Sequence, residues 1–235
     1  MTKKYIIVKE DGEEVAIPNS EYWDNISEEK FNLLLKKSHI PQNYHDLDFE
    51  DYQGKISLES FNKCYSYAAK CKEEKFHNVS LYLVGNHGAQ KTMIASAIGK
   101  EFIRQGLSVK FVYAGELIDL LLKAQGFDWN EEIQNKLKNY ACLDLLIIDD
   151  IFDSNKSIYW QKNPQLIISA WDTFLRRQIS EDKRIILTSN FAIDVIHEKF
   201  GESMFHLLDR NFIQLTFYDN IQTVRKERFN NLFED

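Results

Sequence analysis

Residues 85–92, GNHGAQKT, combine the side-chain types and backbone freedom that polyphosphate binding needs. Gly85 and Gly88 allow a tight turn, Lys91 brings a positive charge, and Thr92 offers a hydroxyl to a metal ion. The spacing is that of G-x-x-x-x-G-K-[ST], except that Gln90 stands where the second glycine belongs. In such a loop the backbone N–H groups and the N-terminus of the following helix converge on one anion. A side chain before the lysine costs about 1–2 kcal/mol if the backbone there needs positive φ. Glycine in place of Gln90 is therefore expected to tighten nucleotide binding if the side chain crowds the phosphate. The candidate binding set is Gly85, Asn86, His87, Gly88, Ala89, Gln90, Lys91, Thr92 and Met93, with ATP and Mg²⁺ as the ligands. The alternative for this stretch alone is an ordinary strand-to-helix turn with a chance lysine.

Two further stretches carry polar groups at the ends of apolar runs. Residues 145–150, LLIIDD, read as a buried parallel strand whose C-terminal end opens on a ligand crevice. There Asp149 is placed to hold magnesium through water, and Asp150 to orient or deprotonate an attacking water. The plainer reading of the pair is a solvated strand end. Residues 184–190, RIILTSN, read as the next strand, and Asn190 supplies an amide that can orient water.

The elements that must position these groups alternate. The run 81–84 is a strand, residues 92–104 have the 3.6-residue period of a helix that stops at Gly106, and residues 108–113 are a second strand. Two helices follow, 117–124 and 130–139, and a third starts at Asn163-Pro164 and runs to Arg176-Arg177. Residues 212–217 form the last strand, and Arg225 sits on a last short helix. Upstream, residues 5–17 read as a hairpin turned at Asp11-Gly12, and Ser27 caps a helix ending near Ser38. These elements form a small acidic N-terminal appendage, residues 1–38, beside a main domain over 39–235. Residues 39–52 read as an extended lead-in, and Ser57 as the cap of a helix reaching about Lys75.

With 235 residues, 44% hydrophobic and 28% charged, the chain is long enough for one α/β domain with a full core. The formal charge of −7 argues against coating nucleic acid by bulk positive charge. Residues 1–60 hold 7 Lys/Arg against 13 Asp/Glu, and the remainder 22 against 23, so a near-neutral main domain can still carry a local basic stripe. Candidates for contact with single strands are Lys123, Trp129, Lys136, Lys138, Arg176 and Arg177. Cys64, Cys71 and Cys142 have neither disulfide-framework nor zinc-ligand spacing. No apolar run approaches a membrane span and the N-terminus has no signal-peptide core, so a cytoplasmic protein without a membrane partner is expected.

Taken together, the residues 85–92, 145–150, 188–190 and Leu207-Leu-Asp-Arg210 resemble the AAA+ ATPases of the replicative-helicase loader group, the DnaC/DnaI type, and the related IstB-type transposition helpers. The resemblance covers roughly residues 39–228. It implies a three-layer α/β/α P-loop domain with a parallel five-stranded sheet and no helical lid. It also implies ATP and Mg²⁺, self-association into a ring or spiral, and action on single-stranded DNA or a hexameric helicase. By position, Lys91 and Thr92 then bind phosphate and metal, Asp149 and Asp150 form Walker B, Asn190 is sensor 1 and Arg210 the arginine finger. Arg225 falls at sensor 2, or is one charge in a Lys/Arg/Glu run. The chain departs from the pattern at Gln90, at Asp150 where glutamate is common, and in a short N-terminus without a cysteine-rich module. Richness in Lys, Asn and Ile suggests an A·T-rich genome, such as that of a phage or another mobile element. The competing readings are an ATPase assisting a transposase, and a degenerate P-loop module that binds a partner and uses nucleotide weakly.

Overall fold

The computed structural model describes residues 5–10, 13–18, 27–53, 55–56, 58–125, 131–152 and 163–218. Five parallel strands form its centre: β4 (Ser80–Gly85), β5 (Val109–Tyr113), β6 (Leu145–Asp149), β7 (Ile185–Ser189) and β8 (Phe212–Tyr218). They stand in the order β8-β4-β7-β6-β5, as expected of a parallel five-stranded sheet. A two-residue strand, β3 (Lys55–Ile56), adds an antiparallel edge against β8, with Ile56 opposite Phe217. A separate hairpin pairs β1 (Tyr5–Glu10) with β2 (Glu13–Pro18), Glu10 opposite Glu13, which leaves the two-residue connection that Asp11-Gly12 implies.

Alternation along the strands sends successive side chains to opposite faces, and both faces are covered. Leu81, Leu83, Phe111, Leu145 and Ile147 pack under α1 (Glu28–Ser38), α2 (Leu58–Ala69) and α3 (Lys91–Arg104). Tyr82, Val84, Leu146, Ile148 and Leu187 pack under α4 (Ala114–Gln125), α6 (Pro164–Ser180), α7 (Ile193–Phe200) and α8 (Glu202–Asn211), with α5 (Glu131–Ala141) against α4. The result is three layers with one core on each side of the sheet.

Caps start the helices where the sequence places them. The Ser27 side chain accepts the Lys30 N–H, and Asn163 accepts that of Leu166 one residue before Pro164. Helix α1 packs on α3 and β5, with Leu35 buried in the core on that side of the sheet. Two local readings change. Helix α2 ends at Ala69, short of Lys75, because a turn forms at Lys70–Glu73 and the Arg184 guanidinium takes the Cys71 carbonyl at 2.6 Å. The lead-in is not simply extended, since single turns of 3₁₀ helix form at Gln42–Tyr44 and Phe49–Asp51. Arg225, Trp129, Ser57 and the expected absence of a lid after the last strand lie outside the described residues.

Candidate functional site

The loop after β4 begins with a close approach. A Cβ on Gly85 would lie 2.2 Å from the Phe217 carbonyl oxygen of the neighbouring β8, so only glycine lets the two strands pair at this level. Gly88 then takes φ 84° and Gln90 φ 59°, ψ 25°. The position before the lysine therefore does need the left-handed region, and glutamine occupies it at a cost of about 1 kcal/mol or more. Its side chain is turned to the lead-in, where Oε1 accepts the Gln53 N–H at 2.9 Å. Helix α3 starts directly after it, with the Ile94 N–H on the Gln90 carbonyl.

Lys91, only 5% exposed, donates from Nζ to the carbonyls of Gly85 (2.7 Å) and Asn86 (2.8 Å) and to Oδ1 of Asn190 (3.0 Å). Thr92 donates its hydroxyl to Asp149 Oδ1 at 2.9 Å, and Thr188 donates to the same oxygen at 2.7 Å. The Thr188 hydroxyl in turn accepts the Asp150 N–H at 2.9 Å, holding Asp150 at φ 58° just past the strand end. Pairing of β6 with β7 brings these groups together, because Ile148 stands opposite Leu187 and the polar residues follow on each strand. Asn190 is fixed from two sides, its Nδ2 lying 3.2 Å from His87 Nε2 of the loop. Two hydrogen-bonded sets thus lie side by side at the C-terminal edge of the sheet, the loop lysine with the Asn190 amide and the helix threonine with a 3%-exposed aspartate. Of the remaining candidates, Asn86, His87 and Gly88 are exposed, whereas Ala89 and Met93 are buried in the core on the α3 face, so the Met93 side chain is not part of the polar site.

Residues 27–217 match the family model described as IstB-like ATP binding protein. The chain belongs to that family. Among curated proteins it is similar to a replicative helicase loader DnaC of Buchnera aphidicola subsp. Schizaphis graminum. The two are 30% identical over 131 residues, 55% of this chain and 52% of that protein. It is also similar to an insertion sequence IS5376 putative ATP-binding protein of Geobacillus stearothermophilus, 29% identical over 133 residues, 56% of this chain and 49% of that one. The aligned stretches span about half the length of both relatives. A crystal structure of the DnaC helicase loader shares the fold, with a TM-score of 0.57 at 18% identity, covering 75% of this chain and 99% of that chain. The P-loop AAA+ fold and the IstB/DnaC grouping that the sequence implies are both met.

For an IstB-like ATP binding protein the donor set fits a small hard cation. Thr92 and Asp149 offer oxygen ligands 2.9 Å apart beside the loop, which suits Mg²⁺ shared with phosphate. One neighbour escaped the sequence reading. Tyr44, from the lead-in, is half-buried near this edge, and its phenol is raised above its usual pKa. Burial is the main cause, opposed by a hydrogen bond with Asn43 and reinforced by the negative charges of Asp149 and Asp150. No motif marks it.

Arg210 lies elsewhere. Phe212 pairs with Ser80 and Phe217 with Gly85, so the start of β8 is level with the start of β4. Arg210, at the end of α8 two residues before Phe212, lies beside that edge of the sheet, which is about 16 Å from the loop at ~3.3 Å per residue. That is farther than an arginine side chain reaches. Arg210 is exposed and makes no ion pair or hydrogen bond with another described residue, Asp209 included. The basic candidates on the helices are partly engaged: Arg176 with Asp172 at 2.7 Å, Arg177 with Glu181 at 3.1 Å and Lys136 with Glu132 at 2.7 Å. Lys123 and Lys138 are exposed. Among the described residues no helix is long and apolar enough to cross a membrane.

Proposed function

We propose that the chain is a Mg²⁺-dependent ATPase of the helicase-loader type, acting in the cytoplasm on a hexameric helicase and single-stranded DNA. The observation that carries the reading is the convergence at the mouth of the phosphate loop of two hydrogen-bonded pairs, Lys91 with Asn190 and Thr92 with Asp149. The loop N–H groups and Lys91 bind the phosphates, Lys91 exchanging its carbonyl and amide acceptors for phosphate oxygens. Thr92 and Asp149 are the residues that would hold magnesium, which when bound supplies positive charge against the phosphates. Asp150 takes the proton of the attacking water, and Asn190, steadied by His87, orients that water. Arg210 cannot reach its own loop, so it serves the nucleotide of a second copy in a ring or spiral, where a guanidinium stabilises charge on the transferred phosphoryl group.

Binding of a fluorescent ATP analogue with and without Mg²⁺ tests the site. The wild type is expected to bind, and Lys91→Ala to lose at least about tenfold in affinity, as removal of a charged phosphate contact worth some 1.5–3 kcal/mol implies. Equal affinity in the variant would remove the assignment, and no binding by the wild type would leave the degenerate partner-binding module. The insertion-sequence relative supports a second partner, a transposase on double-stranded DNA. Preference for single- over double-stranded oligonucleotides at fixed salt separates the two, with equal affinity favouring transposition.

A further inference from the structure

Gln90 is the residue that breaks the phosphate-loop pattern, and the chain uses it. The second half of the lead-in, from His45, is fastened along α3 and continues to Gln53. Lys100, fully buried, donates to the carbonyls of His45 and Leu47 and pairs with Asp48 at 3.1 Å, and Arg104 pairs with Asp48 at 2.7 Å. Farther on, the Tyr52 hydroxyl donates to the Ala89 carbonyl at 3.4 Å, and the Tyr52 ring meets Phe61 and Phe217 with centroids 5.9 and 6.1 Å away. The Gln53 N–H then ends on Gln90 Oε1, and the chain resumes as β3 on β8, at the level where Phe217 faces Gly85. The lead-in is thus a strap running from α3 across the outer side of the phosphate loop to the sheet edge. Gln90 is the loop side chain that reaches the strap, beside the Tyr52 hydroxyl that reaches the loop from the strap.

We propose that Gln90 is a positioning residue: its carboxamide ties the strap to the phosphate loop, so that nucleotide binding and strap order are coupled. The proposal rests on the reading that the loop binds ATP. A left-handed backbone at this position would be served with less strain by glycine or asparagine. Neither has an acceptor that reaches Gln53, asparagine being one methylene shorter. From sequence, glycine is expected to tighten binding only if the Gln90 side chain crowds the phosphate; with that side chain turned to Gln53, the proposal expects glycine to weaken it. Coupling is reciprocal, so whatever orders the strap favours nucleotide, and nucleotide orders the strap by the same factor.

Hydrogen exchange of the Gln53 amide, resolved by mass spectrometry, and titration with ATP–Mg²⁺ test this together. Gln90→Gly and Gln90→Asn are each expected to speed exchange at Gln53 about three- to tenfold without nucleotide, the range one hydrogen bond provides. Gln90→Glu, which keeps an acceptor oxygen at the same reach, restores slow exchange. ATP–Mg²⁺ slows exchange at Gln53 further in the wild type and not in Gln90→Gly, and both shortened variants bind ATP about three- to tenfold more weakly. Unchanged exchange in Gln90→Gly and Gln90→Asn overturns the tie. Faster exchange with equal or tighter ATP binding overturns the coupling. The nucleotide-free exchange needs no ATP, so a wild type that fails to bind ATP counts against the ATPase reading while the tie is judged by itself.

Discussion

The two edges of the sheet treat their charges differently. At the C-terminal edge Lys91 is met by three oxygens and Asp149 by two hydroxyls, so the site is held in place by its own chain. At the N-terminal edge two arginines behave in opposite ways. Arg184, 8% exposed, donates to the carbonyls of Asp144 (2.8 Å) and Cys71 (2.6 Å) and lies 4.8 Å over the Phe102 ring. Arg210 is exposed, with none of these. An arginine surrounded by carbonyls and an aromatic face is holding the core together, and an exposed one without a side-chain partner among the described residues is open to an anion from outside the chain. On the proposed reading Arg210 therefore sits at the edge away from the rest of the catalytic machinery, and a second copy would bring the two together.

Removing the two arginines is the sharpest way to test that contrast. Arg210→Ala is expected to lower turnover about 10³- to 10⁵-fold, the range of such fingers, while ATP affinity and the thermal midpoint stay those of the wild type. Steady-state hydrolysis, nucleotide titration and calorimetry on one preparation check all three. A falling midpoint with unchanged turnover would make Arg210 structural. Arg184→Ala should do the reverse, costing about 2–4 kcal/mol in urea unfolding, since one buried and one half-buried carbonyl lose their donor and the Phe102 face is uncovered. Its turnover per folded molecule should be that of the wild type.

The smallest effect concerns a third set of answered charges. Burial pushes Asp48 upward, but hydrogen bonding and charge from Arg104, with Lys100, outweigh it and hold the carboxyl below its usual 3.8. A depressed carboxyl pKa stabilises the fold above the unfolded value and loses that contribution as pH falls through the folded one. Stability should therefore drop below about pH 4 in the wild type, and Asp48→Asn should flatten that part of the profile. At neutral pH the variant should cost about 1–2 kcal/mol, a figure reduced for the one-third exposure of the carboxylate. A wild-type profile retained in Asp48→Asn would show that another carboxyl governs it.

What could be read from sequence follows the same division. Residues 85–92, 145–150 and 188–190 were legible because phosphate and metal chemistry restricts the types that serve, and because each group ends an apolar strand. The parallel sheet is legible for a related reason, since its faces are buried and the central runs 81–84 and 145–148 are unbroken and apolar. Helices α7 and α8 were missed. They have 8 and 10 residues, and Gly201 at φ 87° divides them, so neither Ile193, Ile196 and Phe200 nor Met204, Leu207 and Leu208 repeat long enough to announce a helix. Strand β3 has two residues and no pattern at all. The strap shows in sequence only as a lead-in, since apart from the Asp48 ion pairs Lys100 and Gln90 hold it through backbone groups, which every residue type carries. Gln90 shows the limit of reading by residue type: the left-handed backbone was inferred correctly, but the use of the side chain needed the position of Gln53.

Mixing two inactive variants tests the division of the site between copies most directly. Arg210→Ala retains a loop that binds ATP and lacks the arginine, whereas Lys91→Ala retains the arginine and lacks the loop lysine. Each alone should hydrolyse ATP at a background rate. Combined at equal concentrations, they should regain activity that rises with total protein, because Arg210 of one subunit meets the nucleotide held by the other. Turnover of the wild type that is independent of protein concentration, with no gain on mixing, would contradict a site shared between subunits.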